Sequence, residues 1–183
     1  MMTDQDASSE TGNETMLSEE QMNKARDVAK QAAAAFGEVT ALMMRTQPYA
    51  DMPLKNLSWL VGPAITTGQF ALAEARDKKS GNTVPVGAVL WAMVSEEIEQ
   101  KLTAATKETD RLEIDDWQSG NVPWIVAAVG DSKVVSTLLE RLAKSAFKNE
   151  PARIRGRDED GNMTVGKLRI KPKEGENGNS SSS

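Results

Sequence analysis

The change of hydrophobic period along the chain constrains its fold more than any other sequence feature. Apolar residues recur at helical spacing from Ser18 to about Met44 and again from Lys133 to Phe147. Other segments carry the shorter period and the turn residues that are typical of strands. These strand-like segments are residues 69–73, 84–94, 124–129, 153–157 and 163–170. The order of the two patterns predicts a mixed α/β (α+β) fold in which helices flank a largely antiparallel sheet.

Local signals place the helix boundaries. Ser18, with Gln21 three residues later, has the sequence pattern of a capping box. Gly37 lies inside this first helix and predicts either a break or a point of close packing. A second helix is predicted from Pro53 to Ile65, because proline is tolerated in a first turn. Ser95 begins a further helix, since a hydroxyl cap followed by glutamates suits the positive end of the helix dipole.

The composition predicts one domain between two disordered tails. Residues 1–17 and 172–183 are polar and lack apolar periodicity, which leaves residues 18–171 as a single domain. The chain has no cysteine, so disulfides are excluded. No apolar run is long enough to predict a membrane span, and the N-terminus lacks the basic and apolar regions of a signal peptide. A cytoplasmic location is the expectation that follows.

Positive charge is concentrated in the C-terminal part of the chain. Although the net charge is −5, residues 133–173 hold eleven Lys and Arg against five Asp and Glu. This asymmetry predicts a docking surface for an acidic partner or, alternatively, ordinary solvated helix and strand faces. Arg153, Arg155 and Arg157 would share one face of a strand, which makes them candidate partner-binding residues for carboxylates or phosphates. The overall acidity of the chain and the lack of interleaved aromatic residues predict no binding to nucleic acid.

The chain contains no histidine, and this absence limits its chemistry. Without His or Cys the usual zinc and iron ligands are missing, and no metal site is predicted. Glu96, Glu97 and Glu99 are expected to support a helix start in solvent, and Asp115-Asp116 to begin a turn or a cap. The loop 158–162 lacks the spaced ligands of a calcium loop and is expected to be a solvated hairpin turn.

Three blocks of sequence, in order, resemble a known family. The first block is FGEVTALMMRTQPYADMPLKNLSWLVGPAITTGQFAL at residues 36–72. The second comprises Pro85-Val86-Gly87, Trp91-Ala92 and Ser95-Glu96-Glu97, and the third is Asp116-Trp117-Gln118-Ser119-Gly120 before Trp124. By the order and spacing of these blocks, the chain resembles the toxin-activating lysine acyltransferases, which acylate RTX haemolysins.

The resemblance implies a fold related to the GNAT acyltransferases and a homodimer, since the family is often dimeric. It also implies that an acyl carrier protein donates a fatty acyl group and that internal lysines of a protoxin accept it. No separate cofactor is implied. The chemistry of the family is assigned to a histidine and an aspartate, with a nearby serine also implicated.

The sequence departs from the family at these functional positions. When the first block is aligned without gaps, the family histidine falls on Tyr49 and the serine on Thr46. The family aspartate, three residues after the aromatic residue at Trp124, falls on Ala127. Asp131 lies four positions further on and is a candidate substitute, although we expect it to lie past the end of the strand.

These changes remove the expected general base. A lysine acceptor must lose its proton near neutral pH, and a histidine with a pKa of about 6.5 is suited to accept it. Tyr49, with an ordinary pKa of about 10, stays protonated unless nearby cations lower that value strongly. Ala127 has no group that can bind a proton. Loss of general base catalysis lowers a rate by roughly 10²–10⁴-fold.

Three functions follow as hypotheses. The leading one is a catalytically degenerate acyltransferase-like protein that acts as a binding module for an acyl carrier, a lipid or a protein partner. The second is an active protein-lysine acyltransferase with an altered site, in which Tyr49 works with Asp131 or Thr46. The third is a structural or assembly factor for a cell-surface complex, which engages its partners through acidic tails.

Overall fold

The computed structural model describes residues 18–79, 81–104 and 111–168. Within these residues, five strands form one sheet in the order β1-β2-β3-β4-β5. The strands are β1 Phe70–Arg76, β2 Thr83–Val94, β3 Val122–Gly130, β4 Ala152–Arg157 and β5 Met163–Leu168. Neighbouring strands pair antiparallel except β3 and β4, which run parallel. The predicted α+β architecture with a mostly antiparallel sheet is confirmed.

Helices cover both faces of this sheet. They are α1 Glu19–Met43, α2 Leu57–Leu60, α3 Gly62–Thr67, α4 Glu96–Ala104 and α5 Ser132–Lys144. Helices α1 to α4 contribute to one core, which contains Leu90 and Val129 of the sheet. Helix α5 packs on the opposite face against Val89 and Ile125. Each buried face of the central strands therefore has its own helical cover.

Helix α1 begins as the sequence predicts. The hydroxyl Oγ of Ser18 accepts a hydrogen bond from the N–H of Gln21 at 3.3 Å, and Oε1 of Gln21 accepts from the N–H of Ser18 at 2.8 Å. The predicted break or close packing at Gly37 is wrong. The helix runs through Gly37 to Met43, and a Cβ at Gly37 would meet no atom within 4 Å because this residue is on the exposed side of the helix.

The helix predicted from Pro53 to Ile65 is divided into shorter segments. Pro53 precedes a 3-10 turn, Leu54–Asn56, and α2 ends at Leu60. The pair Gly62-Pro63, which lies near the end of the predicted helix, opens α3. Proline lacks an N–H and its ring clashes with the carbonyl one turn earlier, so Pro63 cannot continue α2 but fits a first turn.

Two capping predictions around α4 are confirmed. Oγ of Ser95 accepts from the N–H of Ile98 at 3.2 Å, which caps the start of α4. Oδ2 of Asp116 accepts from the N–H of Glu113 at 2.9 Å, at the start of the 3-10 segment Ile114–Gln118. This segment buries Trp117 completely. The third block of the family resemblance thus packs against the end of β2.

The C-terminal hairpin forms as predicted, with β4 and β5 joined by a tight turn. Oδ1 of Asp158 accepts from the N–H groups of Asp160 and Asn162, at 3.0 and 2.8 Å. These bonds, the one from Asn162 first, hold the pKa of the Asp158 carboxyl below its ordinary value. The predicted tails at 1–17 and 172–183, and the last two residues of the strand predicted at 163–170, lie outside the described residues.

Candidate functional site

A cleft opens where strands β3 and β4 part. The two strands are paired only at Trp124 with Arg153 and at Ile125 with Ile154. Beyond these pairs each strand continues without the other, and residues of both line a cavity of about 550 Å³. This volume lies within the range of small-molecule sites, roughly 300–1,000 Å³.

Most of the cleft is apolar. Its apolar lining residues are Pro48, Trp59, Leu102, Leu112, Trp124, Ile125, Val126, Ala127, Ala128, Ile154 and Met163. Its polar or charged side chains, among the described residues, are Tyr49, Arg111, Arg155 and Arg157. No Asp, Glu or His belongs to this part of the lining. The surface therefore suits a ligand with an apolar body and a group that accepts hydrogen bonds.

A β-bulge in β3 turns Ala127 toward the cleft. Leu90 of β2 is paired with Ala127, but its neighbour Trp91 is paired with Ile125, so Val126 has no partner in this register. The extra residue shifts the alternation of side chains by one position. As a result Ala127 lies on the same face as Trp124, in the core under helices α1 to α4. Strict alternation would place it on the face of α5.

Tyr49 reaches the cleft from the segment after α1. It opens the 3-10 turn Tyr49–Asp51, and its N–H donates to the carbonyl of Thr46 at 2.9 Å. Its ring packs against the core under α1 to α4. Burial raises the pKa of the Tyr49 phenol above its ordinary value, because the phenolate would lose its hydration. The shift is opposite in direction to the one that a general base would need.

Comparison with known proteins places the chain in a family. The model of the RTX toxin acyltransferase family matches residues 28–171. The chain belongs to this family. Protein-lysine myristoyltransferase RtxC from Kingella kingae is 29% identical to it over 110 residues, which are 58% of this chain and 60% of that relative. The chain thus matches less than two thirds of the length of RtxC.

The structure brings two positions that the family alignment singles out to one site. Tyr49 and Ala127 come from segments far apart in the chain, and both line the β3–β4 cleft. They are the two positions at which the resemblance given in the sequence analysis leads us to expect a histidine and an aspartate. The cleft is therefore the cavity that both of these residues line.

The substitute residues predicted from the sequence lie elsewhere. Thr46 and Asp131 line a second, open groove of about 500 Å³, together with Arg45 and others. Oγ1 of Thr46 donates to the carbonyl of Leu42 at 2.9 Å. Oδ1 of Asp131 caps α5 by accepting from the N–H groups that follow it, at 2.9 and 3.1 Å. Neither side chain lines the cavity that Tyr49 lines, so the altered constellation is not assembled around one cavity.

Each arginine of the β4 row is bonded to another residue of the protein. Nε of Arg153 lies 2.7 Å from Oε1 of Glu99 in α4, and both side chains are mostly buried. Nη2 of Arg155 donates to the carbonyl of Leu102, also in α4, at 2.8 Å. Nη1 of Arg157 donates to the carbonyl of Gly161 at 2.8 Å. The prediction that Glu99 is a solvated residue at the helix start is therefore wrong, because its carboxylate forms an ion pair with Arg153 of β4.

Two residues of the cleft have no signal in the sequence analysis. The guanidinium carbon of Arg111 lies 5.4 Å from the centre of the Trp59 ring, a cation–π arrangement. The indole N–H of Trp59 is buried and has no hydrogen-bond acceptor among the described residues.

No group of three or more acidic, His or Cys residues in the described part of the chain is placed to hold a metal ion. Also within that part, no helix combines the length and apolar character needed to cross a bilayer.

Proposed function

We propose that this member of the RTX toxin acyltransferase family holds a long-chain acyl group in the β3–β4 cleft as a binding module and does not transfer it by general base catalysis. One observation carries the proposal. Tyr49, whose pKa is raised by burial, and Ala127 both line this cleft, and they are the positions at which the resemblance implies a histidine and an aspartate.

Proton transfer is the step that these residues do not support. The lysine acceptor has an ordinary pKa of about 10.4 and must lose a proton before its nitrogen can attack a thioester. Tyr49 is neutral at pH 7 and burial makes its phenolate still less favourable. The other titratable groups among the described lining residues are arginines, which do not act as bases. The described lining thus has no group that would accept the proton.

The cleft does support the binding of an acyl chain. Its walls are apolar, and each methylene group moved there from water contributes up to about 0.8 kcal/mol. The Kingella kingae relative is named for the transfer of a myristoyl group to protein lysine. A myristoyl chain is therefore the first ligand to test.

An acyl carrier protein is the proposed partner. An acidic carrier would be attracted to the basic C-terminal region, where Lys133, Arg141, Lys144 and Lys148 are exposed. A homodimer and a cytoplasmic site of action belong to the same proposal.

The experiment uses acyl carrier protein loaded with a myristoyl group. Binding is measured by calorimetry, and the thioester is followed by intact mass after incubation with a protoxin fragment that contains acceptor lysines. We expect a complex in which the thioester persists. Affinity should rise with acyl length until the cleft is filled, because each added methylene is buried.

Two leucine variants make the test specific to the cleft. Ala127→Leu places three more carbons in the cavity and should weaken acyl binding, whereas Ala75→Leu, at an exposed position of β1, should leave it unchanged. Transfer to lysine that is lost in Tyr49→Phe would instead establish an active acyltransferase with an altered site. Absence of any acyl binding would overturn the proposal and favour the assembly factor.

A further inference from the structure

The hydroxyl of Tyr49 is a neutral hydrogen-bond donor of the β3–β4 cleft. Tyr49 lines the cleft, and its hydroxyl forms no hydrogen bond with another described residue. Burial accounts for the raised pKa of the phenol, without a contribution from a hydrogen bond or a neighbouring charge. The phenol therefore stays protonated at neutral pH and can donate. A donor without an acceptor in a largely apolar cavity is complementary to a ligand that brings the acceptor.

The other side-chain donors of the described lining have contacts within the protein or are buried. Arg155 and Arg157 each donate to a backbone carbonyl. The guanidinium of Arg111 lies over the Trp59 ring at 5.4 Å. The indole N–H of Trp59 is buried, so a ligand atom would reach it only if the ring moved. Tyr49 is thus the lining residue whose donor best suits a neutral ligand.

The acyl ligand of the proposed function carries one acceptor beside its apolar chain, the carbonyl oxygen of the thioester. A carbonyl that leaves water for an apolar wall weakens binding unless a donor replaces its hydrogen bonds to water. Ala127, on the wall of the cleft, cannot replace them because its side chain is a methyl group. The hydroxyl of Tyr49 can.

We propose that Tyr49 donates a hydrogen bond from its hydroxyl to the carbonyl oxygen of the acyl thioester, so that the cleft selects a carbonyl-linked chain over a plain alkyl chain. The inference rests on the proposed function, from which it takes the assignment of an acyl chain to this cleft. It goes further by giving a recognition role to the residue that stands where the resemblance implies a histidine. The phenol orients the carbonyl and does not supply the base that transfer needs.

The experiment compares two loaded carriers that differ in one group. One acyl carrier protein bears a myristoyl thioester and the other bears a tetradecyl thioether, so that the two chains have the same number of carbons and only the carbonyl oxygen differs. Binding of each to the full chain is measured by calorimetry. We expect the thioester to bind about fivefold more tightly, which corresponds to one neutral hydrogen bond. Equal affinities would overturn the inference.

Two variants assign the preference to one donor. Tyr49→Phe removes the hydroxyl and keeps the ring, so the thioester should bind about fivefold more weakly while the affinity of the thioether stays the same. The unchanged thioether also shows that the variant is folded. Trp59→Phe is the matched control, because it removes the buried donor of the same cleft. Its effect on affinity should be equal for the two ligands. A thioester preference that persists in Tyr49→Phe, or that is lost in both variants, would contradict the assignment.

The stretching frequency of the thioester carbonyl gives a readout that packing alone would not change. With an isotope-labelled carbonyl, infrared spectra of the complex should show a lower frequency in the parent protein than in Tyr49→Phe, because the hydrogen bond weakens the carbonyl bond. A frequency shared by parent and variant would show that the bond is absent. If neither loaded carrier binds, the proposed function itself is refuted, whereas equal binding of both refutes only the role of Tyr49.

Discussion

Arg153 of strand β4 donates a hydrogen bond from Nε to Oε1 of Glu99 in helix α4, with 2.7 Å between the two atoms. The side chains are 16% and 22% exposed, so the ion pair is shielded from much of the solvent. Nη1 of Arg153 also donates to the carbonyl of Pro151 at 2.7 Å. The pair fastens α4 to the first residues of β4, at the only place where β4 is paired with β3.

Removal of this pair should destabilise the fold. Glu99→Ala leaves a partly buried guanidinium without its carboxylate, and we expect the free energy of unfolding to fall by about 1–2 kcal/mol. Glu97→Ala, at an exposed residue of the same helix, should lower it by only a few tenths, roughly 0.3–0.5 kcal/mol. Urea denaturation measures both. Equal losses in the two variants would show that the ion pair contributes nothing beyond the helix dipole.

Tyr49 should ionise only above its ordinary pKa of about 10. It is the one tyrosine of the chain, so the absorbance at about 295 nm that accompanies phenolate formation reports on it alone. The expected titration midpoint is above pH 10, and the transition should be missing in Tyr49→Phe. A midpoint at or below 10 would mean that the phenol is stabilised as an anion and would reopen its role as a base.

The same shift predicts how stability depends on pH. Because the pKa of Tyr49 in the folded state is raised above its value in the unfolded chain, its contribution is fully present below about pH 10. It is lost as the pH rises through the folded-state pKa. Tyr49→Phe should therefore lose less stability than the parent protein over that alkaline range, as measured by denaturation at fixed pH values.

Gly130 and Gly37 should respond to alanine in opposite directions. Gly130 has φ 105°, and a Cβ there would overlap the carbonyl oxygen of Val86. We expect Gly130→Ala to destabilise the protein by at least about 2 kcal/mol. In Gly37→Ala the new methyl group meets no atom within 4 Å and stands inside α1, so stability should rise by about 0.5–1 kcal/mol. Melting temperatures that move the same way in both variants would contradict this assignment.

Asp131 should behave as a helix cap and not as a catalytic or ligand-binding group. Its carboxylate accepts from the N–H groups of Lys133 and Val134. Asp131→Ala should cost about 1 kcal/mol of stability, while Asp131→Asn should be nearly neutral because asparagine is an equally good cap. Binding of the myristoyl-loaded carrier protein should be unchanged in Asp131→Asn. A marked loss of binding in that variant, without loss of stability, would assign Asp131 to the site.

Local pattern was sufficient to predict most of the elements. The capping box at Ser18 fixes the start of α1, and the hydroxyl of Ser95 fixes the start of α4. The apolar stripe of α5 and the turn at Asp158 likewise depend on neighbours in sequence. Such signals are readable because the interacting groups lie within one helical turn or one hairpin. The order of the three family blocks indicated the family, which the family model then showed.

The site itself depended on contacts that no local pattern encodes. The segment from Trp124 to Val129 is apolar throughout, so its sequence does not reveal the bulge at Val126 that turns Ala127 into the cleft. The partner of Arg153 in strand β4 is Glu99 of helix α4, and in the sequence Glu99 resembles any glutamate near a helix start. The cation–π contact of Arg111 likewise joins segments that are distant in sequence. These features follow from how separate elements meet.

The narrow join between β3 and β4 has a thermodynamic consequence. Two residue pairs are all that connect the three-stranded meander β1–β3 to the terminal hairpin through backbone pairing. A ligand bound in the cleft beyond that join would contact both the meander and the hairpin. A compound that binds only the folded chain stabilises it by an amount that grows with the logarithm of 1 + [L]/Kd, so ligand binding and the stability of this join are coupled. The join between β3 and β4, which has the fewest backbone pairs in the sheet, is thus the one that a bound acyl chain would stabilise.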